Sequence, residues 1–204
     1  MKGIVIHEVD RDRWKDLVRL FEARGGPKHC WCMAWRPIED REHRRDPVRR
    51  KGALRRRVQR GIPIGLLAYA GGEPVAWCSV APRETFRPLG GVVAPGENVW
   101  SVVCFFVPRR LRGLGLMRRL LAAALDCARR HGATVLEAYP VDPESPSYRF
   151  MGFVPSFRTA GFRMVGRAGS RRYVMHRNLR PRRRGSPGVT PRSARARRRT
   201  GSGL

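Results

Sequence analysis

The 204-residue chain is poor in lysine and poor in acid. It holds four lysines, and 16 acidic residues face 43 basic ones, for a formal net charge of +27. Arginine therefore carries nearly all of the positive charge. No apolar run approaches the ~20 residues of a membrane span, which excludes a helical transmembrane protein. Cysteines number five (Cys30, Cys32, Cys78, Cys104 and Cys127), an odd set that excludes a fully paired disulfide framework. Reduced thiols are the simplest reading. Glu8 and Asp10 come too early for the apolar core of a signal peptide, so the expected compartment is the cytoplasm.

Two phosphate-binding signatures are also missing. No Gly-Lys-Ser/Thr occurs, which excludes a P-loop. Gly113-x-Gly115 lacks the third glycine of a dinucleotide turn, because Arg118 stands at that position. For zinc, Cys30 and Cys32 with His29 have the wrong spacing and lack a second distant pair of ligands, and no metal is expected.

What remains is enough for one packed domain. Hydrophobic residues make up 42% of the chain, but residues 180–204 contain almost no large apolar side chain. That stretch carries nine arginines and no acid, which leaves +18 on residues 1–179. The division expected is a domain over 1–179 and an Arg-rich, disordered tail over 180–204. A body so basic attracts anions: nucleotides, nucleic acid or acidic surfaces.

Periodicity orders the domain. Residues 3–9 read as a strand, and Asp10 as the cap of a helix with Trp14, Leu17, Val18 and Phe21 on one face. After Gly25-Gly26-Pro27 comes the segment K-H-C-W-C-M-A-W-R-P. Its aromatics suggest a pocket lining, with Trp31, Met33 and Trp35 as candidates. A charged helix follows, with Val48, Leu54 and Val58 on a narrow apolar stripe. Residues 64–70 and 74–81 form a hairpin across a Gly-Gly-Glu turn. Residues 82–97 read as a loop, and 98–107 as a central strand covered on both faces. A helix over 116–130, a strand near 133–140, a short helix ending before Gly161 and two terminal strands complete the order β-α-α-β-β-β-α-β-α-β-β. This is a mixed α/β domain with a hairpin-fed, mostly antiparallel sheet flanked by helices.

The most informative stretch is the junction of the central strand and its helix. A buried strand, V-W-S-V-V-C-F-F-V-P, passes through R-R-L-R-G-L-G-L into an amphipathic helix. Glycines there let backbone N–H groups face an anion, and the helix start adds its positive dipole end. Arg110-x-x-Gly113-x-Gly115, in this element order, resembles the Gln/Arg-x-x-Gly-x-Gly/Ala turn of the GCN5-related N-acetyltransferase (GNAT) family. The stretches G-P-K-H-C-W-C-M-A-W-R, A-Y-P-V-D and Y-R-F-M-G-F-V-P-S-F-R-T-A-G-F are similar to an uncharacterised bacterial branch of it. Gly161-Phe162 takes the place where such proteins turn from the last helix into the next strand.

The resemblance implies a sheet whose central strands splay apart, with acetyl-CoA in the gap. Backbone of Phe105, Phe106 and Val107 would hold the pantetheine arm. Arg110, Leu111, Arg112, Gly113, Leu114, Gly115 and Leu116 would meet the pyrophosphate. Tyr148 would be the acid that protonates the leaving thiolate, and Glu97 the base that takes the proton of the amine. Cys104 reads as packing, because direct transfer needs no acyl-enzyme.

The function implied is N-acetyl transfer from acetyl-CoA to a primary amine of a small molecule. Two alternatives stay open: a protein or RNA-associated acceptor, and a nucleic-acid-binding protein that keeps the fold without activity. The Arg-rich stretches 41–60 and 180–199 could make weak nucleic-acid contacts, but they hold no aromatic residue for base stacking. Sequence sets neither the acceptor nor the oligomeric state.

Overall fold

A computed structural model describes residues 3–38, 45–91 and 96–179. The expected disorder of the 180–204 tail lies outside them. The element order is β1 (Ile4–Glu8), α1 (Trp14–Glu22), α2 (Pro47–Gln59), β2 (Leu66–Ala70), β3 (Glu73–Pro82), β4 (Val99–Phe106), α3 (Leu116–Arg130), β5 (Val135–Ala138), α4 (Val154–Thr159), β6 (Arg163–Ala168) and β7 (Arg172–Asn178). The strands form one sheet in the order β1-β2-β3-β4-β5-β7-β6. Only the β4–β5 pair is parallel; α3 makes the crossover that a parallel pair requires.

Each face is closed by the apolar side of a helix. α3 turns Leu116, Leu120, Leu121, Ala124, Leu125 and Ala128 onto one face, where Phe157 of α4 joins them. α1 buries Trp14, Leu17, Leu20 and Phe21 against the other, together with Leu54 and Val58 of α2 and Trp77 of β3. Burying each such leucine contributes roughly 2 kcal/mol. Asp10 accepts a hydrogen bond from the Arg13 N–H at 2.9 Å, capping the turn that leads into α1.

α2 corrects one expectation. Its N-cap is Asp46, whose side chain accepts from the Val48 N–H, and Pro47 opens it. Val48 is 75% exposed and leaves the expected stripe, while Ala53 takes a place inside.

The feature that positions the site is the way β4 leaves β5. The two strands pair only from Val99–Val135 to Val102–Ala138. β3 partners Cys104 with Ser79 but Val102 with Val80, so Val103 is an extra residue, a β-bulge. Bulges bend a strand and deepen its twist. Beyond Val103, β4 continues beside β3 to Phe106, while β5 ends at Ala138. The β5-facing backbone edge of residues 103–106 pairs with no strand among those described.

Candidate active site

The gap so opened continues into a groove of about 710 Å³. One wall is Phe105, Phe106 and Val107; the far end is the turn of Leu111, Arg112, Gly113, Gly115 and Leu116; Phe150, Gly152 and Phe153 close the other side. Arg110 and Leu114, also expected at the turn, are exposed and stand outside this lining.

The turn is shaped by its glycines. Pro108 precedes a 3-10 turn at Arg109–Leu111. Gly113 has φ +78° and Gly115 φ +75°, both left-handed, and Gly115 is the N-cap of α3. A Cβ at either would meet no protein atom within 4 Å. The glycines are thus required by their backbone conformation, and the space above them is open. The first N–H groups of α3, which have no partner inside the helix, point out from its start beside Arg112 and Arg118. Among the described residues the groove lining contains three arginines (Arg112, Arg118 and Arg149) and no carboxylate. An unpaired strand edge leading to a cationic N–H-rich turn fits an amide-bearing chain that ends in a pyrophosphate, as in coenzyme A.

Tyr148 stands just before a 3-10 turn, Arg149–Met151, that packs beside β4. It holds a left-handed φ of +58° and is 37% exposed. Its ring lies 6.3 Å from that of Phe150, on the groove wall, and 6.2 Å from that of Trp35. The hydroxyl makes no hydrogen bond to a described residue. The Arg172 guanidinium sits among the rings, 4.4 Å from Trp35, 5.5 Å from Tyr148 and 5.8 Å from Tyr139, and donates to the Leu89 carbonyl at 3.1 Å. Burial pulls its pKa below the ordinary arginine value. Sequence reasoning missed Arg172, because in a chain with so many arginines one more carries no signal.

The other expected pocket residues separate. Trp31 is 2% exposed and stacked on Trp14 at 6.0 Å, inside the core with Phe21 and Trp77. Met33 is buried but lines a second cavity, described below. Trp35 alone of the three meets the aromatic cluster beside the groove.

Glu97, the expected base, stands elsewhere. It precedes β4 at the end remote from the groove and lines a different cavity with Arg83, Gly90 and Gly91. At ~3.3 Å per residue the strand carries it ~20 Å from Val103, beyond direct proton transfer. A second carboxylate, Glu137 on β5, is paired in register with Ser101 and fully buried. Its oxygens accept from Arg83 Nε at 2.8 Å and the Tyr139 hydroxyl, and lie 2.8 Å from His176 Nε2. Burial alone would raise its pKa; the hydrogen bonds from His176 and Tyr139 and the charge of Arg83 hold it below the usual carboxylate range. Glu137 is thus a saturated structural anion. The Cys104 thiol is pushed well above its ordinary pKa by its hydrogen bond with Cys32, at 3.5 Å between sulfurs, and by its burial, which fits a packing role.

The model of the acetyltransferase (GNAT) family matches residues 17–153. This chain belongs to that family. Membership makes it an acetyl-CoA-dependent N-acetyltransferase, with acetyl-CoA as acyl donor. Solved structures share the fold. PaiA N-acetyltransferase from Thermoplasma acidophilum, in complex with coenzyme A, is 15% identical with a TM-score of 0.53, over 86% of this chain and 99% of that one. YncA from Salmonella typhimurium, with its cofactor acetyl-CoA, is 18% identical with a TM-score of 0.55, over 93% and 100%. Ribosomal-protein-alanine N-acetyltransferase from Brucella melitensis is 21% identical with a TM-score of 0.54, over 86% and 99%. No curated protein matches the chain.

Proposed function

We propose that this acetyltransferase moves the acetyl group of acetyl-CoA directly onto a primary amine of a small-molecule acceptor. The observation that carries the choice of acceptor is the compact aromatic wall of Trp35, Tyr148 and Phe150 at the groove, tightened by Arg172 among the rings. Such a wall suits a small body more than an extended polymer.

Within this reading the roles follow from the geometry. The free edge of residues 103–107 pairs with the amides of the pantetheine arm. The 111–116 turn and the start of α3 hold the pyrophosphate, with Arg112 adding charge. Tyr148 gives its proton to the leaving thiolate; its free hydroxyl and its place beside Phe150 support that role. The amine's proton leaves through water, since no side-chain carboxylate among the described residues lines the groove. A cationic groove without acid also lowers the fraction of protonated amine, because like charge disfavours the ammonium form.

The test has two parts. Calorimetric titration with acetyl-CoA should show micromolar binding to the wild type and at least tenfold weaker binding to Gly113→Asp; no binding to the wild type at tens of micromolar sinks the reading. CoA release is then followed over a panel of small amines and of peptides with free N-termini. Turnover confined to the peptides would replace the small-molecule acceptor with a protein one. Tight RNA binding without CoA release would favour the non-catalytic alternative.

A further inference from the structure

Arg36 is buried to 1% exposure and is not part of the acetyl-transfer groove. Its Nη2 donates to the Ile64 carbonyl at 2.8 Å and to Ser79 Oγ at 3.1 Å, and its guanidinium lies 4.3 Å from the Phe86 ring centre. Its Nε and Nη1 are buried and find no acceptor among the described residues. Burial, and then the charge of Arg57, pull its pKa down to about 9. A buried cation without a counter-charge is an expensive arrangement, and donors left empty add to the cost.

This side chain lines a cavity of about 610 Å³ formed by residues 33–38, the beginning of α2 and the 87–88 turn. Arg45, Arg50 and Arg87 line it too, and no acidic residue does so among those described. Arg50 Nη1 donates to the His29 carbonyl at 2.6 Å, and Arg87 Nη2 to that of Ala34. These bonds set both side chains against residues 29–34. Met33 and Pro88 supply apolar wall. The volume exceeds the need of a bare inorganic ion and falls in the range of small organic ligands.

We propose that this cavity binds an oxyanion, the carboxylate or phosphate of a small organic ligand, with the buried Arg36 guanidinium as its central partner. The anion fills the empty donors and supplies the missing counter-charge. Arg45 and Arg87 complete the cationic ring. The same chemistry has two sources: an anion separate from the reaction, or the anionic end of the acceptor. Trp35, next in the chain to Arg36, reaches the aromatic wall of the groove, so the two sites share a segment.

Inorganic phosphate is the probe. Thermal unfolding and calorimetry are followed on the full chain with saturating CoA, so that the pyrophosphate turn is occupied, at ionic strength matched with chloride. Phosphate should raise the Tm of the wild type and leave that of Arg36→Met unmoved, while Arg36→Met without phosphate is no less stable than the wild type. Arg45→Gln, at an exposed position, should weaken phosphate at least about tenfold and keeps the test alive if Arg36→Met does not fold. Equal phosphate shifts in wild type and variants overturn the site. CoA release is then compared for amine pairs with and without a carboxylate or phosphate. A KM rise of at least tenfold in Arg45→Gln, for the acidic member alone, identifies the acceptor's anionic end. Unchanged KM values with phosphate binding still lost identify a separate anion. The phosphate measurement does not depend on catalysis, so it can fail or succeed independently of the proposed acetyl transfer.

Discussion

Gly113 and Gly115 separate conformation from space. Each holds a left-handed φ, and a Cβ at each would meet nothing in the protein. Gly113→Ala should therefore cost about 1 kcal/mol of stability, the strain of an L residue in that region, yet weaken acetyl-CoA at least tenfold by calorimetry, because the added methyl stands where the ligand backs onto the turn. A large loss of stability with unchanged affinity would mean that the turn is only structural. Tyr148→Phe asks a different question. It keeps the ring that packs on Trp35 and Phe150 and removes only the hydroxyl. A drop of about a hundredfold in kcat with little change in KM is expected for a lost proton donor; an unchanged kcat assigns the ring to pocket lining. Glu137 supplies the pH dependence. Its carboxyl is held below the ordinary value in the folded state, so its contribution is present above the unfolded value near 4.5 and is lost as pH falls through the folded one. Glu137→Gln should lose about 3 kcal/mol at pH 7, because Arg83 and His176 lose their partner, and its stability should fall less steeply than the wild type's below pH 4.5 in urea titrations.

Elements were legible where the signal is local. The Gly-Gly-Glu hairpin, the apolar run of β4 and the face of α3 follow from period and turn chemistry, and their order together with the Arg110-x-x-Gly113-x-Gly115 turn pointed to the fold. The parts that stayed hidden are set by tertiary geometry. The bulge at Val103 lies in a continuous β-branched and apolar run, where an extra residue leaves no mark. Glu97 looked suitable as a base at the start of the central strand, but distance along a strand is invisible until one knows which end carries the groove. The patch at 29–36 read as one pocket, although the chain buries Trp31 in the core, sets Trp35 against the Tyr148 ring beside the groove and leaves Arg36 beneath a separate cavity. A short segment with left-handed φ at both Trp31 and Cys32 has no fixed period, so adjacent side chains need not share a surface. α2 offers a measurable version of the same lesson. Val48 is exposed and Leu54 is fully buried, so Val48→Lys should change stability by less than about 0.5 kcal/mol in chemical denaturation. Leu54→Ala should cost about 3 kcal/mol. Comparable losses at both positions would restore the stripe read from periodicity.

At the scale of the whole molecule the described fold runs to Leu179. β7 ends at Asn178, and Leu179 is still buried, with its N–H donating to the Thr134 carbonyl at 2.8 Å. A chain cut after Leu179 keeps every described strand and helix and the whole groove, while the net charge falls from +27 to +18. Two readings of the charge then diverge. If the arginines of 180–204 serve only to attract polyanions, truncation leaves the Tm within about 2 °C and kcat/KM on a small amine within twofold. It also flattens the salt dependence of any nucleic-acid binding, since each phosphate that the tail no longer neutralises takes roughly 0.9 off the log–log slope. If the tail takes part in acceptor capture, kcat/KM falls with truncation, and more so at low ionic strength, where long-range attraction between charges is least screened. The first outcome is expected, because the groove lining, the aromatic wall and the turn that orients them all lie within residues 33–172.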